Sequence, residues 1–152
     1  MSRHIRLCYY FSAMNSEKSF SMELFFAALA DNTRLRLLNL MQDTEVCVCF
    51  FVEVIGTNQP KISRHLAYLR KAGIVAARRD GIWAHYRITP PNNEHAAQVL
   101  RDIQEWLKSD KLMRKDRKQL ANFCCALQPP KSIQGAPRPT RTTVKKTGFQ
   151  VC

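Results

Sequence analysis

Three observations predict a mostly α fold with a small β-hairpin, ordered as a winged helix-turn-helix. Apolar residues recur at helical spacing through most of positions 20–127, two short helical segments are joined by a Gly-bearing turn, and one Asp-Gly pair lies between alternating stretches. The first helix is Ser21 to Ala30, where Leu24, Phe25, Ala28 and Leu29 form one stripe. Asp31 is placed to cap a second helix, along which Leu35, Leu38 and Met41 recur at helical spacing. A third short helix is expected from Val46 to Ile55, ended by Gly56. Asn58 is the expected cap of a fourth helix running to Ala72, with Pro60 in its first turn, where a missing N–H costs nothing.

After Gly73 the period becomes two. Ile74 to Arg79, Asp80-Gly81, then Ile82 to Ile88 reads as a hairpin closed by Pro90-Pro91. Helical spacing resumes from Glu94 to about Leu107, with Val99, Ile103, Trp106 and Leu107 on one side, and the basic stretch Lys108 to Lys118 is expected to carry helix on to Ala126. Residues 1–19 form a basic lead. Met14 and Met22 are alternative starts, and translation from Met14 would omit the first thirteen residues. Residues 20–127 are the folded domain. Residues 128–152 hold four of the seven prolines, five Lys or Arg and no acid, which predicts a disordered basic tail.

Lys plus Arg number 24 against 12 Asp plus Glu, a net charge of +12, which points to a polyanionic partner. The apolar runs Leu24 to Ala30 and Val46 to Val52 are too short to span a bilayer, so no membrane partner is expected. The N-terminus lacks the apolar region and cleavage site of a secretory signal. Six cysteines, four of them in the clusters Cys47/Cys49 and Cys124/Cys125, suit a reducing cytoplasm better than a disulfide scaffold.

In a winged unit the second helix of the motif enters the major groove of double-stranded DNA, and the hairpin lies along the backbone. On the fourth helix Ile62, Leu66 and Leu69 make the buried stripe. Arg64, Ala67, Tyr68 and Lys71 lie opposite, flanked by Lys61 and Ser63. Seven Lys or Arg and one acid fall between Gln59 and Arg87, and Arg78 and Arg79 precede the hairpin turn, placed to meet phosphates. A merely solvated charged face is the alternative, but it does not explain why the charge coincides with the helix-turn-helix punctuation and the wing.

Four segments in order, Ala27 to Leu38, Glu45-Val46-Cys47-Val48-Cys49, Asn58 to Leu66 and Gly81 to Arg87, closely resemble the arsenical-resistance repressors of the ArsR/SmtB family. The resemblance covers roughly residues 22–107. It implies a homodimer that binds palindromic operator DNA and leaves it when a toxic metal or metalloid, As(III) or Sb(III), is bound. It also implies that Gln59, Ser63 and His65 join Lys61 and Arg64 in reading the operator.

Soft thiolates select thiophilic ions. Cys47 and Cys49 fall at the family's sensor position, and on a regular helix residues two apart diverge, so joint ligation is expected to unwind the helix start. Arsenite-sensing relatives commonly have a third Cys three residues after the second. Here that residue is Val52. Cys124 and Cys125 are the first candidates for a third thiolate, then Cys8, with Cys152 last. Glu94, His95 and Asp102 do not reproduce the family's other, zinc-binding spacing along the dimerisation helix. A cadmium- or lead-responsive repressor, a thiol-redox switch and an effector-free architectural DNA protein share the fold prediction. A thiol enzyme is the remaining alternative, but no Cys-x5-Arg phosphate loop occurs and no Cys-x-x-Cys follows a βαβ unit.

Overall fold

A computed structural model describes residues 20–142. Helix α1 (Met22–Leu29) is capped by Ser21, whose Oγ accepts from the Leu24 N–H. Helix α2 (Asn32–Met41) is capped by Asp31, which accepts from the Arg34 N–H at 2.9 Å. Strand β1 (Thr44–Cys47) leads directly into α3 (Val48–Ile55), which Gly56 ends in the left-handed region at φ 73°. Asn58 caps α4 (Gln59–Lys71), with Pro60 in the first turn as expected.

Strands β2 (Val75–Asp80) and β3 (Trp83–Ile88) form the wing, joined by the two-residue loop Gly81-Ile82. Gly81 takes φ 57° at the first loop position, where a primed hairpin turn needs it. Helices α5 (Glu94–Ser109) and α6 (Lys111–Cys125) follow, then a short 3-10 turn at Lys131–Ile133 and a two-residue strand β4 (Thr140–Arg141). The sheet is antiparallel throughout, in the order β2-β3-β1-β4.

The core lies between the helices and one face of this sheet. Phe25, Leu37, Leu38, Met41, Phe51, Ile62, Leu66, Leu69 and Ile74 are fully buried. The predicted stripe of α4 is therefore the face that seats it against α2 and α3. Helix α6 is tied to α2 by a bidentate pair, Arg36 Nε and Nη2 donating to Asp116 at 2.6 and 2.9 Å, and by Asn39 Nδ2 donating to the Met113 carbonyl.

The structure departs from the sequence reading in four places, the smallest being that the wing turns on Gly81-Ile82 and not on Asp80-Gly81, since Asp80 pairs with Trp83. Val46 and Cys47, expected to open the third helix, are strand, because Val46 pairs with Tyr86 and Cys47 with His85 across β3. The expected continuous helix through Lys108 breaks at Asp110, which adopts extended backbone at ψ 138° and caps α6 by accepting from the Met113 N–H. The tail expected to be disordered from Gln128 is ordered as far as residue 142. Ile133 is buried, Ser132 Oγ donates to Glu53 Oε2, and β4 pairs with β1 (Thr44 with Arg141, Glu45 with Thr140). One buried side chain, a surface hydrogen bond and a strand edge offset the ordering cost that composition alone could not. Residues 1–19 and 143–152 lie outside the described residues, and with them Cys8, Cys152 and the alternative start Met14.

Candidate nucleic-acid interface and thiol pair

The exposed side of α4 carries Gln59, Lys61, Arg64 and Tyr68. Ser63 and His65 are half-buried at its margins. His65 faces inward more than the sequence suggests: its Nδ1 stands 3.5 Å from Asp31 Oδ1, the same carboxylate that caps α2. Tyr68 lies under the Arg34 guanidinium, whose carbon is 4.7 Å from the ring centre, while Arg34 also donates to the Ala27 and Ala28 carbonyls. That contact fixes the phenol against the α1–α2 corner and leaves its edge exposed.

The wing arginines divide. Arg79 is exposed and no ion pair engages it among the described residues. Arg78 instead donates to Glu45 Oε1 of β1 from Nη2 at 2.6 Å and from Nε at 3.1 Å, with Asp80 Oδ2 at 3.5 Å. Sequence reasoning missed this pair. Alternation within Thr44–Cys47 would have put Glu45 and Cys47 on one sheet face, had the segment been read as strand.

Cys47 and Cys49 come together. Cys47 ends β1 in extended backbone (φ −69°, ψ 142°) and caps α3, while Cys49 sits in the helix's first turn. The change of backbone state between them turns both side chains to one side, and Cys49 donates to Cys47 Sγ at 3.0 Å. The expectation that the helix must unwind for the sulfurs to meet is corrected here, because Cys47 was never part of the helix. The Cys49 hydrogen bond holds the Cys47 thiol down to about 7, helped by nearby backbone groups of Cys49, Val48 and Ala84 and opposed by burial. The same hydrogen bond, together with burial, pushes Cys49 well above the ordinary thiol range. The two sulfurs, joined by one S–H···S hydrogen bond, form a soft donor pair at the start of a helix.

Cys124 is buried and lines a separate cleft of about 230 Å³ with Arg117, Leu120 and Arg141, where burial pushes its thiol up. Cys125 is exposed at the end of α6. Among the described residues no group of three His, Cys, Asp or Glu side chains is arranged to hold a metal ion, so neither cysteine completes a three-ligand set with Cys47 and Cys49 in this conformation. Among the described residues no helix is long and apolar enough to cross a membrane. Leu29 of α1 and Leu100 and Leu107 of α5 are buried within the chain, whereas Met22, Phe26 and Trp106 are left exposed.

Comparison with known proteins places this geometry. Residues 31–77, from the cap of α2 to the third residue of β2, match the family described as bacterial regulatory protein, arsR family. The arsenic resistance transcriptional regulator ArsR1 of Pseudomonas putida is 43% identical over 94 residues, covering 59% of this chain and 73% of its own. The arsenical resistance operon repressor of Escherichia coli is 43% identical over 76 residues, 49% of this chain and 65% of its own. The regulator ArsR2 of Pseudomonas putida is 37% identical over 108 residues, 66% of this chain and 94% of its own. With the helix-turn-helix, the wing and these relatives in agreement, the chain belongs to the arsR family of bacterial regulatory proteins, as a winged helix-turn-helix transcriptional regulator and not an enzyme.

Proposed function

We propose that the chain is a cytoplasmic, arsenite- or antimonite-responsive repressor, which binds operator DNA as a homodimer and releases it when Cys47 and Cys49 ligate the metalloid. The observation that carries this reading is the 3.0 Å approach of the two sulfurs, and the hydrogen bond between them lowers the Cys47 thiol to about 7. A trivalent thiophile suits such a donor set, whereas hard cations favour oxygen ligands. The naming of relatives for arsenic and arsenical resistance supports the same effector class.

In this reading Gln59, Lys61, Arg64 and Tyr68 of α4 face the major groove with Ser63 and His65 at its margin, and Arg79 of the wing meets phosphate. Met22, Phe26 and Trp106 are the apolar side chains offered to a second copy. The thiol pair bridges the wing sheet and the helix that packs on α4, so ligation fixes the angle at the Cys47–Val48 junction. The DNA-free conformation has to be favoured by about 3 kcal/mol for a hundredfold loss of operator affinity.

The test is an operator-binding titration with arsenite, antimonite, cadmium, lead and peroxide on wild type and cysteine variants. Cys47→Ser and Cys49→Ser each bind operator but ignore arsenite. Release of the double variant at the wild-type arsenite concentration refutes the assignment. Loss of response in the variant carrying Cys124→Ser and Cys125→Ser assigns the third thiolate to the C-terminal pair, and a normal response leaves Cys8 or two-coordinate binding.

A further inference from the structure

Strand β1 carries a carboxylate that neither DNA contact nor thiol chemistry uses. Glu45, its side chain only 12% exposed, reaches past β3 to Arg78 on β2. The register explains the reach: Arg78 is paired with His85, and His85 with Cys47, so Glu45, Cys47, His85 and Arg78 share one face of three adjacent strands. His85 stands between the partners, buried, with Nδ1 3.9 Å from Glu45 Oε1 and an Nε2 that finds no hydrogen-bond partner among the described residues.

We propose that Glu45 is a positioning residue for the wing, holding the Arg78 guanidinium along the sheet and off the DNA backbone. The inference rests on the DNA-binding reading above. Arg78 donates twice to one oxygen of Glu45, so although its side chain is 52% exposed, two of its donors are engaged and its charge is compensated by a neighbouring carboxylate. For Arg78 to meet a phosphate, two charge-assisted hydrogen bonds have to break, and the largely buried Glu45 would then face a second anion. In this conformation Arg78 displaces no counterions from DNA, and the wing acts through Arg79.

A purely structural pair would knit β1 to β2 without changing how binding depends on salt, and that difference is the test. The full chain is titrated with sheared mixed-sequence duplex DNA between about 50 and 200 mM salt, a range over which each phosphate contact steepens the log–log slope by about 0.9. Glu45→Gln frees one arginine per wing, so its affinity falls by about 3.5-fold more per wing across that range than that of wild type. Arg78→Gln in the Glu45→Gln background restores the wild-type slope, and its effect there exceeds its effect in the wild-type chain. Where Glu45→Gln does not fold, Glu45→Asp, one methylene shorter, carries the same comparison.

A salt-dependent wild type whose slope Glu45→Gln leaves unchanged overturns the proposal alone. So does an equal effect of Arg78→Gln in both backgrounds. A wild type whose binding to duplex DNA does not depend on salt overturns the DNA-binding reading, and the proposal with it.

Discussion

Replacing Asp116 by alanine removes the carboxylate that fastens α6 to α2. Asp116 is 2% exposed and accepts from both Nε and Nη2 of Arg36, whose side chain is 17% exposed. Breaking a buried pair by deleting one partner costs about 3–5 kcal/mol, because the other charge stays behind without compensation. Arg36 keeps some contact with water, which puts the loss near the lower bound, about 3 kcal/mol. An ordered unit of roughly 120 residues has an unfolding entropy of about 0.25 kcal/mol/K, so the melting temperature falls by about 12 °C. Thermal unfolding followed by circular dichroism at fixed protein concentration measures it. Asp116→Asn, which keeps an acceptor of the same shape, loses about half as much. Arg36→Met with Asp116→Leu recovers most of the loss, since apolar replacements of similar volume are tolerated where a lone charge is not. A fall of less than about 3 °C in Asp116→Ala, or a double variant no more stable than the single one, refutes the reasoning.

Lys61→Ala or Arg64→Ala weakens operator binding while arsenite binding by the free protein is unchanged, whereas Arg79→Ala weakens operator and unrelated duplex alike and flattens the salt slope by about one unit per wing. Parallel anisotropy titrations on the two duplexes separate these effects. Ile133→Ala costs about 3 kcal/mol in denaturant unfolding, because Ile133 is buried against the core and its loss leaves a cavity beneath the segment that leads to β4.

The parts of the fold that were legible in the sequence are those decided within a few residues. Asp31 and Asn58 each cap a helix because a short acceptor side chain reaches the N–H three residues on, and Gly56 and Gly81 take positive φ that other residues resist. The stripe of Ile62, Leu66 and Leu69 follows from spacing alone. What escaped was settled by distant partners. Val46 to Val52 is one apolar run, equally suited to helix or strand, and only pairing with β3 divides it at Cys47. The same division brings the two sulfurs together, so the local geometry of the site was hidden by a non-local contact. Residues 128–142 read as disordered from their prolines and charge, yet Ile133 and Pro139 are buried by a surface that composition cannot reveal. At Asp110 the capping residue was present, but continued basic helix formers on either side masked it. Arg78 looked like a free cation for phosphate because its partner lies two strands away.

The strand that ends in Cys47 is paired on both sides. Val46 and Cys47 pair with the wing and Thr44 and Glu45 pair with Thr140-Arg141, so the outer border of the sheet falls on a two-residue strand preceded by Pro137 and Pro139. The opposite border, β2, ends in Arg78, Arg79 and Asp80. Short length, proline and charge are the features that keep a foreign strand from adding to a sheet. Copies of this chain at high concentration are therefore expected to meet through helix side chains and not through main-chain ladders. Proteolysis after Leu127, an exposed position, would strip β4 away and leave Thr44 and Glu45 as a bare template beside the thiols.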